Sequence, residues 1–510
     1  MSSTRPTTDS LRAQRPVRAS RHPALGPVAL RAKAPALVSL LVLLSGCTVG
    51  PNYRQPQVNA PAVFRGSSGA QPASLADLPW WDIFKDPTLT ELVKTTLVNN
   101  YDLAAAVARV EQARQIAAEA RSEYFPNVNY ATILSYGHNQ FIQSPVNPAP
   151  SAQGFLMAIA RASWEPDIWG RIRRLNEGAR ARFLGAEETR RGVMLVLVSD
   201  VSQAYFELLG LRYRLEVARA TEQTFAATLK LFTEREQGGL GNGLQTSRAT
   251  ADLAAETAAI PELERLIALK ENQLNVLMGK NPGPIDTRIK LLDETVPPNI
   301  PAGLPSALLE RRPDVVAAAA EVRSANAQIG SARAAYFPQI GLTTFFGKLS
   351  TPLANVTSGN TNAWSLGASA AGPIFTGGAL KARRRQAVAY WEETRARYGQ
   401  TAVNAFRDVS DALISREKFD AVREELVRAV QSSEQSISLA RVRYIEGLSN
   451  YNEVLEAQQR LYPAQVALAE TEISRRLVVV QLYQALGGGW NLTDPQWLGA
   501  APQPTPPKRK

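Results

Sequence analysis

Residues 102–128 read DLAAAVARVEQARQIAAEARSEYFPNV, and residues 314–340 read DVVAAAAEVRSANAQIGSARAAYFPQI. Each copy is an Ala-rich helical pattern that ends at Tyr-Phe-Pro, once at Tyr124–Pro126 and again at Tyr336–Pro338. The residue before a proline is pushed out of the α region, so both copies hand a long helix over to extended chain at the same point. A unit repeated after about 210 residues, switching from helix to strand at one motif, indicates one architecture built twice.

The rest of the 510-residue chain follows from that duplication. Formal net charge is +11, but residues 1–46 hold seven of the positives against one acid, Asp9, so the chain after them carries about +5. Three of its remaining cations are the terminal Lys508–Lys510. No basic stripe interleaved with aromatics appears elsewhere, which argues against a nucleic-acid partner. Two histidines, His22 and His138, are too few for a His-based metal site, and no cofactor motif is present.

The single cysteine, Cys47, excludes an intrachain disulfide and a Cys-cluster metal site. Before it lies ALVSLLVLL (Ala36–Leu44), too short to span a bilayer, which needs about 20 residues. Behind a basic leader, the run reads as a secretory signal rather than an anchor. Leu44-Ser45-Gly46-Cys47 resembles a bacterial lipobox, which implies removal of residues 1–46 and acylation of Cys47. Thr48 rather than an aspartate after the cysteine favours the outer membrane, again by resemblance.

Residues 47–79, rich in Pro, Gly, Ser and Ala, read as a lipid-anchored tether. The first unit, 80–280, begins at Trp80-Trp81-Asp82-Ile83-Phe84-Lys85-Asp86-Pro87. After Pro126, alternate residues Val128, Tyr130, Thr132, Leu134 and Tyr136 share one face of a strand. A loop over Gln143–Gly154 separates this from a second strand, Phe155–Trp164, which ends at Pro166. A linker (281–312) leads to the second unit, 313–487, with strands at Ile340–Phe346 and Trp364–Ala370, a polar loop over Leu349–Asn362, and an exit at Pro373. Such strands have the size of membrane-spanning β-strands. Residues 488–510 form a C-terminal tail.

Each strand pair is followed by a long helical pattern, Arg171–Gln237 and Ala379–Ile445. In the first, Met194, Val201, Leu208 and Leu215 alternate with Leu197, Ala204, Leu211 and Ala218 as a heptad seam; Arg416 and Arg423 interrupt the second. Gly178, Gly185 and Gly192, also seven apart, would admit a closely packed helix. Both patterns end in glycine-bearing turns, Gly238–Gly243 and Glu446–Asn450, before a return helix.

Four strands cannot close a barrel, and an open sheet edge within lipid leaves unpaired backbone groups. Membrane strands here therefore require oligomerisation, as a dimer with eight strands or a trimer with twelve. A through-passage needs the larger barrel, with the long helices continuing below it as a tube.

Trp80-Trp81 with Phe84, Asp86-Pro87 and Leu89, then Asn100-x-Asp102-Leu103 and Arg109-Val110-x-x-Ala113-Arg114, resemble the opening of the outer-membrane factor (TolC-like) family. The nearest branch is the NodT-like lipoproteins of resistance–nodulation–division (RND) tripartite efflux systems. Arg311-Arg312-Pro313-Asp314, Ile329-Gly330, Phe337-Pro338 and Pro373-Ile374-Phe375-x-x-Gly378 match the second half. The resemblance implies a mixed α/β membrane protein: a homotrimeric 12-stranded transmembrane barrel in the outer membrane, continued by a periplasmic α-helical barrel. It further implies a passive exit duct for small molecules, as in multidrug resistance, docked to a periplasmic adaptor (membrane fusion protein) and an inner-membrane RND transporter. No nucleophile is arranged, so an enzyme is not expected.

By the same resemblance Glu456 and Glu453 narrow the periplasmic entrance, where a threefold ring of acids would attract cations. Asn452 stands where an apolar ring residue occurs in some members, and Tyr444 matches a residue that locks some of them shut. Gln245 replaces the acid of the first unit. The turns at Gly239, Gly241, Gly447 and Leu448 are the expected adaptor contacts, and Pro126, Pro166, Pro338 and Pro373 the expected helix-to-barrel corners. The same features admit a duct for a protein or polysaccharide exporter, or a trimeric structural or adhesive lipoprotein.

Overall fold

The computed structural model describes residues 48–67, 69, 73–137, 153–287, 289–293, 301–350 and 361–498. Cys47, the leader, His138 and most of both strand-joining loops lie outside the described residues.

The described helices are α1 (Trp80–Phe84), α2 (Pro87–Asn99), α3 (Tyr101–Ser122), α4 (Arg171–Gln237), α5 (Gly243–Thr257), α6 (Ala259–Leu277), α7 (Pro305–Arg311), α8 (Pro313–Ala334), α9 (Ala379–Ile445), α10 (Tyr451–Ala485) and α11 (Asp494–Trp497). The strands are β1 (Asn127–Gly137), β2 (Gln153–Trp164), β3 (Gln339–Ser350) and β4 (Asn362–Ala371).

Caps explain several of the sequence motifs. Asp86 begins α2 by accepting from the amides of Thr88 (2.7 Å) and Leu89 (3.3 Å). Its other carboxylate oxygen accepts from the buried hydroxyl of Tyr205. Asn100 begins α3 by accepting from Asp102 and Leu103, while its amide donates to Leu277 O at 2.9 Å. One residue thus starts a helix and ties it to the end of α6.

The four strands form one antiparallel sheet in the order β1-β2-β3-β4. They run up to four residues beyond the expected limits at either end. Leu349 and Ser350, expected in a loop, remain in β3 because they pair with Met157 and Leu156. Register decides the chemistry of each face. Tyr130 lies opposite Ala160, Ala160 opposite Phe346, and Phe346 opposite Trp364. Val128, Leu134, Tyr136, Leu156 and Leu366 share that apolar face. Asn129, Arg161, Ser163, Thr343, Ser365 and Ser369 fall on the other, together with an apolar group of Ile133, Met157, Ile159, Phe345 and Leu349. Apolar-out and polar-in is the pattern of a lipid-exposed barrel wall with a wet interior. Both outer edges, β1 and β4, lack a strand partner among the described residues.

Helices α4 and α9 each run 67 residues, about 100 Å at 1.5 Å per residue. Met194, Leu197, Val201, Ala204, Leu208 and Ala218 of the α4 seam are buried, while Leu211 and Leu215 are half-buried. By composition α4 could cross a membrane, but its apolar stretch is mostly covered by the rest of the chain. In α9 the interrupting arginines are paired: Arg416 with Asp420 at 2.9 Å, and Arg423 with Glu472. The glycines of α4 face α8, where a Cβ on Gly185 would come within 3.3 Å of Ala320 Cβ and one on Gly178 within 3.6 Å of Ala327 Cβ.

The first return helix breaks into α5 and α6 at Ala258. Pro261 cannot donate to the carbonyl four residues back, which accounts for the interruption. In the second unit α10 continues through Pro463.

The core surrounds the middle of the long helices. Trp80, Val93, Tyr205, Leu208, Leu274, Val315, Tyr398, Val409 and Leu482 are almost fully buried there. The expected tether is fastened to this body. Val49 N donates to Trp169 O, Asn326 donates to Pro51 O, and Arg174 donates to the Asn52 side chain at 2.9 Å. Phe64, further along, is 2% exposed in the core. The start of the tail is docked as well, with Trp497 buried and Trp490 beneath the Arg311 guanidinium at 4.7 Å.

Candidate functional site

Two places carry the sequence-derived site residues: the ends of the long helices at the glycine turns, and the junction between helices and sheet.

The glycine turns are built alike. In the first, Gly239 N donates to Glu236 O and Leu240 N to Arg235 O; in the second, Gly447 N donates to Tyr444 O and Leu448 N to Arg443 O. This is a Schellman closure, which needs one residue in the left-handed region. Gly239 (φ 72°) and Gly447 (φ 70°) occupy it. Asn242 and Asn450 then cap the return helices, accepting from Gln245 N at 3.1 Å and Asn452 N at 3.0 Å. Leu240 and Leu448 project at the tips, 77% and 71% exposed.

Glu453 and Glu456 both lie on the exposed side of α10, away from buried Val454 and Gln458. Each has an arginine: Arg443 reaches Glu453 at 3.5 Å, and Arg460 reaches Glu456 at 2.6 Å. Exposed pairs of this kind hold weakly and exchange readily with other partners. Asn452 is exposed beside them.

Tyr444 accepts a hydrogen bond on its hydroxyl from Arg235, whose guanidinium lies 5.7 Å from the ring centre. The Tyr444 ring meets Tyr451 edge-on at 5.2 Å, and Tyr451 meets Phe232 edge-on at 4.5 Å. The Tyr451 hydroxyl donates to Thr228 Oγ1 at 2.9 Å. Burial, helped by neighbouring Tyr444, pushes the Tyr451 phenol above its ordinary value, so it stays a neutral donor. Behind these rings is a cavity of about 100 Å³ lined by Phe225, Thr228, Phe232, Asp252, Tyr451 and Leu455. The cluster therefore ties the α4 tip to the α9–α10 tip.

Arg235, Thr228 and Tyr451 belong to no sequence motif, although the duplication contains the clue. A shift of 208 residues maps Arg443 and Glu453 onto Arg235 and Gln245. The second unit keeps its ion pair; in the first, glutamine has replaced the acid, and Arg235 turns to Tyr444 instead.

At the junction, Pro126 and Pro338 immediately precede β1 and β3, while Pro166 and Pro373 follow β2 and β4 by two residues. Asp167 fixes the entry into α4 by accepting from Ile172 N and Arg173 N at 3.0 and 2.8 Å. Trp169 stacks on Phe337 at 4.7 Å and donates its indole N–H to Pro338 O at 2.7 Å. The second exit has no such cover: Ile374 and Phe375 are almost fully exposed.

Among the described residues no group of three or more His, Cys, Asp or Glu side chains is placed to hold a metal. What the geometry offers is a four-stranded wall, two helices of 67 residues and a charged, tyrosine-tied tip.

Comparison with known proteins agrees with that description. A family model described as "Outer membrane efflux protein" matches residues 92–280 and 304–488. The chain is 32% identical over 469 residues to the probable efflux pump outer membrane protein TtgC of Pseudomonas putida, covering 89% of this chain and 96% of that one. It is 30% identical over 458 residues to the probable outer membrane lipoprotein SilC of Salmonella typhimurium, covering 89% and 98%. Among solved structures, the outer-membrane channel OprN superposes with a TM-score of 0.80 at 30% identity, over 87% of this chain and all of that one.

Proposed function

The chain belongs to the outer membrane efflux protein family, as an outer-membrane channel component of an efflux pump rather than an enzyme, and we propose that it works as a gated trimeric duct. The observation that carries the trimer is the sheet: four strands with one apolar face and two open edges. Three copies supply twelve strands, close every edge and leave a polar interior. The 67-residue helices then continue the wall as a tube of about 100 Å, long enough to cross much of the periplasm.

In this reading no energy is spent in the duct itself. A periplasmic adaptor engages the turns at Gly239, Gly241, Gly447 and Leu448, supported by the outward-facing Leu240 and Leu448. An inner-membrane RND transporter drives cargo into the tube. Cys47, outside the described residues, carries the acyl anchor that its lipobox-like context implies.

The gate is the tip. Arg235, Tyr444, Tyr451 and Thr228 hold the two helical hairpins together, while Glu453 and Glu456, with Asn452, form threefold rings at the entrance. Adaptor contact separates the hairpins and breaks the Arg235–Tyr444 bond. Gln245 serves here as the first residue whose amide the Asn242 side chain caps, not as a charged latch.

Planar-bilayer recording with the purified full chain tests the duct, with oligomer mass measured in the same detergent. A trimer whose channels pass small ions in discrete steps is expected. A monomeric particle without conductance would remove the duct reading.

A further inference from the structure

The duplication makes the contact inside one chain a template for the contact between two. Helices α3 and α8 are both 22 residues long and end at matching Tyr-Phe-Pro motifs, so position n of α3 corresponds to n + 212 in α8. Helices α4 and α9 are both 67 residues long, so position n of α4 corresponds to n + 208 in α9. Within the chain, α8 lies between α4 and α9, and its small residues are sealed: Ala325 and Ala327 are 0% exposed. Their counterparts on α3, Ala113 and Gln115, are half-buried and exposed. A covering helix is missing from α3, and a second copy can supply it.

One ion pair in the α4–α8 contact is informative. Glu177 of α4 faces Arg323 of α8 at 3.9 Å. The 208 shift turns Glu177 into Arg385 of α9, and the 212 shift turns Arg323 into Glu111 of α3. Both charges are reversed, so attraction is kept with the partners exchanged. Arg385 is exposed and, among the described residues, in no ion pair. Glu111 is half exposed and is held only from its own helix, by Arg114 at 2.8 Å and by the Gln115 amide at 2.6 Å, exposed contacts that exchange readily.

We propose that α9 of one chain packs beside α3 of a second copy, with Arg385 paired to the partner subunit's Glu111. The counterparts of Gly178 and Gly185 in α9 are Gln386 and Glu393, so the seam between copies is wider and more polar than the one inside the chain. Long side chains such as arginine and glutamate span such a gap. The corner above repeats the logic. Trp169 covers Phe337 within the chain; the 208 shift puts Gly377 in the place of Trp169, which leaves the nearby Phe375, 89% exposed, as the aromatic to cover the partner subunit's Phe125, a residue 62% exposed in the single chain. This inference rests on the trimeric duct and specifies its seam.

The test is a charge-reversal cycle on the full chain in detergent, read as trimer fraction by native mass spectrometry across a dilution series. Arg385→Glu and Glu111→Arg are each expected to raise the trimer dissociation midpoint about fivefold, and the double exchange to return it to within twofold of the wild type. The neutral Arg385→Gln is expected to lie between, and guards against a folding defect in the reversed variant. If the single effects simply add in the double variant while wild-type trimers persist, the pair is overturned and the duct stands. If the wild-type chain forms no trimer, both readings fall together.

Discussion

Replacing Tyr444 with phenylalanine removes one hydroxyl and leaves the ring against Tyr451 in place. The lost interaction is the hydrogen bond donated by Arg235. A bond to a charged group contributes about 1.5–3 kcal/mol when buried, but both side chains here are half-buried, so about 0.5–1 kcal/mol per chain is the realistic range. Three symmetric latches released together give about 1.5–3 kcal/mol, which at 1.4 kcal/mol per tenfold raises the open-to-closed ratio by about 10- to 140-fold. Open probability in planar bilayers measures this directly. Sensitivity of cells to a large antibiotic normally excluded by the outer membrane measures it in vivo. Arg235→Gln should act in the same direction. If both variants keep an open probability within about twofold of wild type, the contact does not distinguish open from closed and the latch is wrong.

Glu453→Ala and Glu456→Ala should each reduce the preference for cations over anions, read from reversal potentials in a salt gradient, and unchanged selectivity in both would exclude them from the entrance. Gly447→Ala places a side chain at φ 70°, costing about 1 kcal/mol locally, and should lower crosslinking from Leu448 to the adaptor while conductance persists. For Glu472, burial alone would raise the carboxyl, but hydrogen bonds from Arg423 and Arg476 outweigh it and hold the group below its ordinary value. A lowered folded-state value stabilises above the unfolded value of about 4.5 and is lost as pH falls through the lower one. Thermal melts should therefore weaken below about pH 4.5 in the wild type. Glu472→Gln should flatten that acid limb and lower the melting temperature at neutral pH, because it strands buried Arg476 at a cost of about 3–5 kcal/mol.

Much of the architecture was legible because its signals are local. A proline disfavours the α region for the residue before it, and both Ala-rich helices end just before Tyr-Phe-Pro, so the corners at Pro126 and Pro338 could be read directly. Alternation from Val128 to Tyr136 gave the apolar face of β1, and the bounds of α4 and α9 coincide with the expected patterns. Strand ends were less legible. Leu349 and Ser350 resemble loop residues until β2 offers its ladder groups. The run after Cys47 likewise reads as free chain by composition, yet Asn52 is held by Arg174, 122 residues away, and Phe64 is buried in the core.

The candidate gate divides the same way. Turn glycines, capping asparagines and the acids of α10 are visible in sequence because each acts within a few residues of itself. The pairing of Arg235 with Tyr444, 209 residues apart, is not visible, because no local preference of either residue specifies it. By itself the sequence determined a duplicated chain of paired strands and very long helices, with a single cysteine in a lipobox-like context. Only the tertiary structure decided which side chains face each other across the hairpins and which faces await another copy. Those choices depend on the register of strands and helices, and register is set by the whole sheet and core rather than by any one segment.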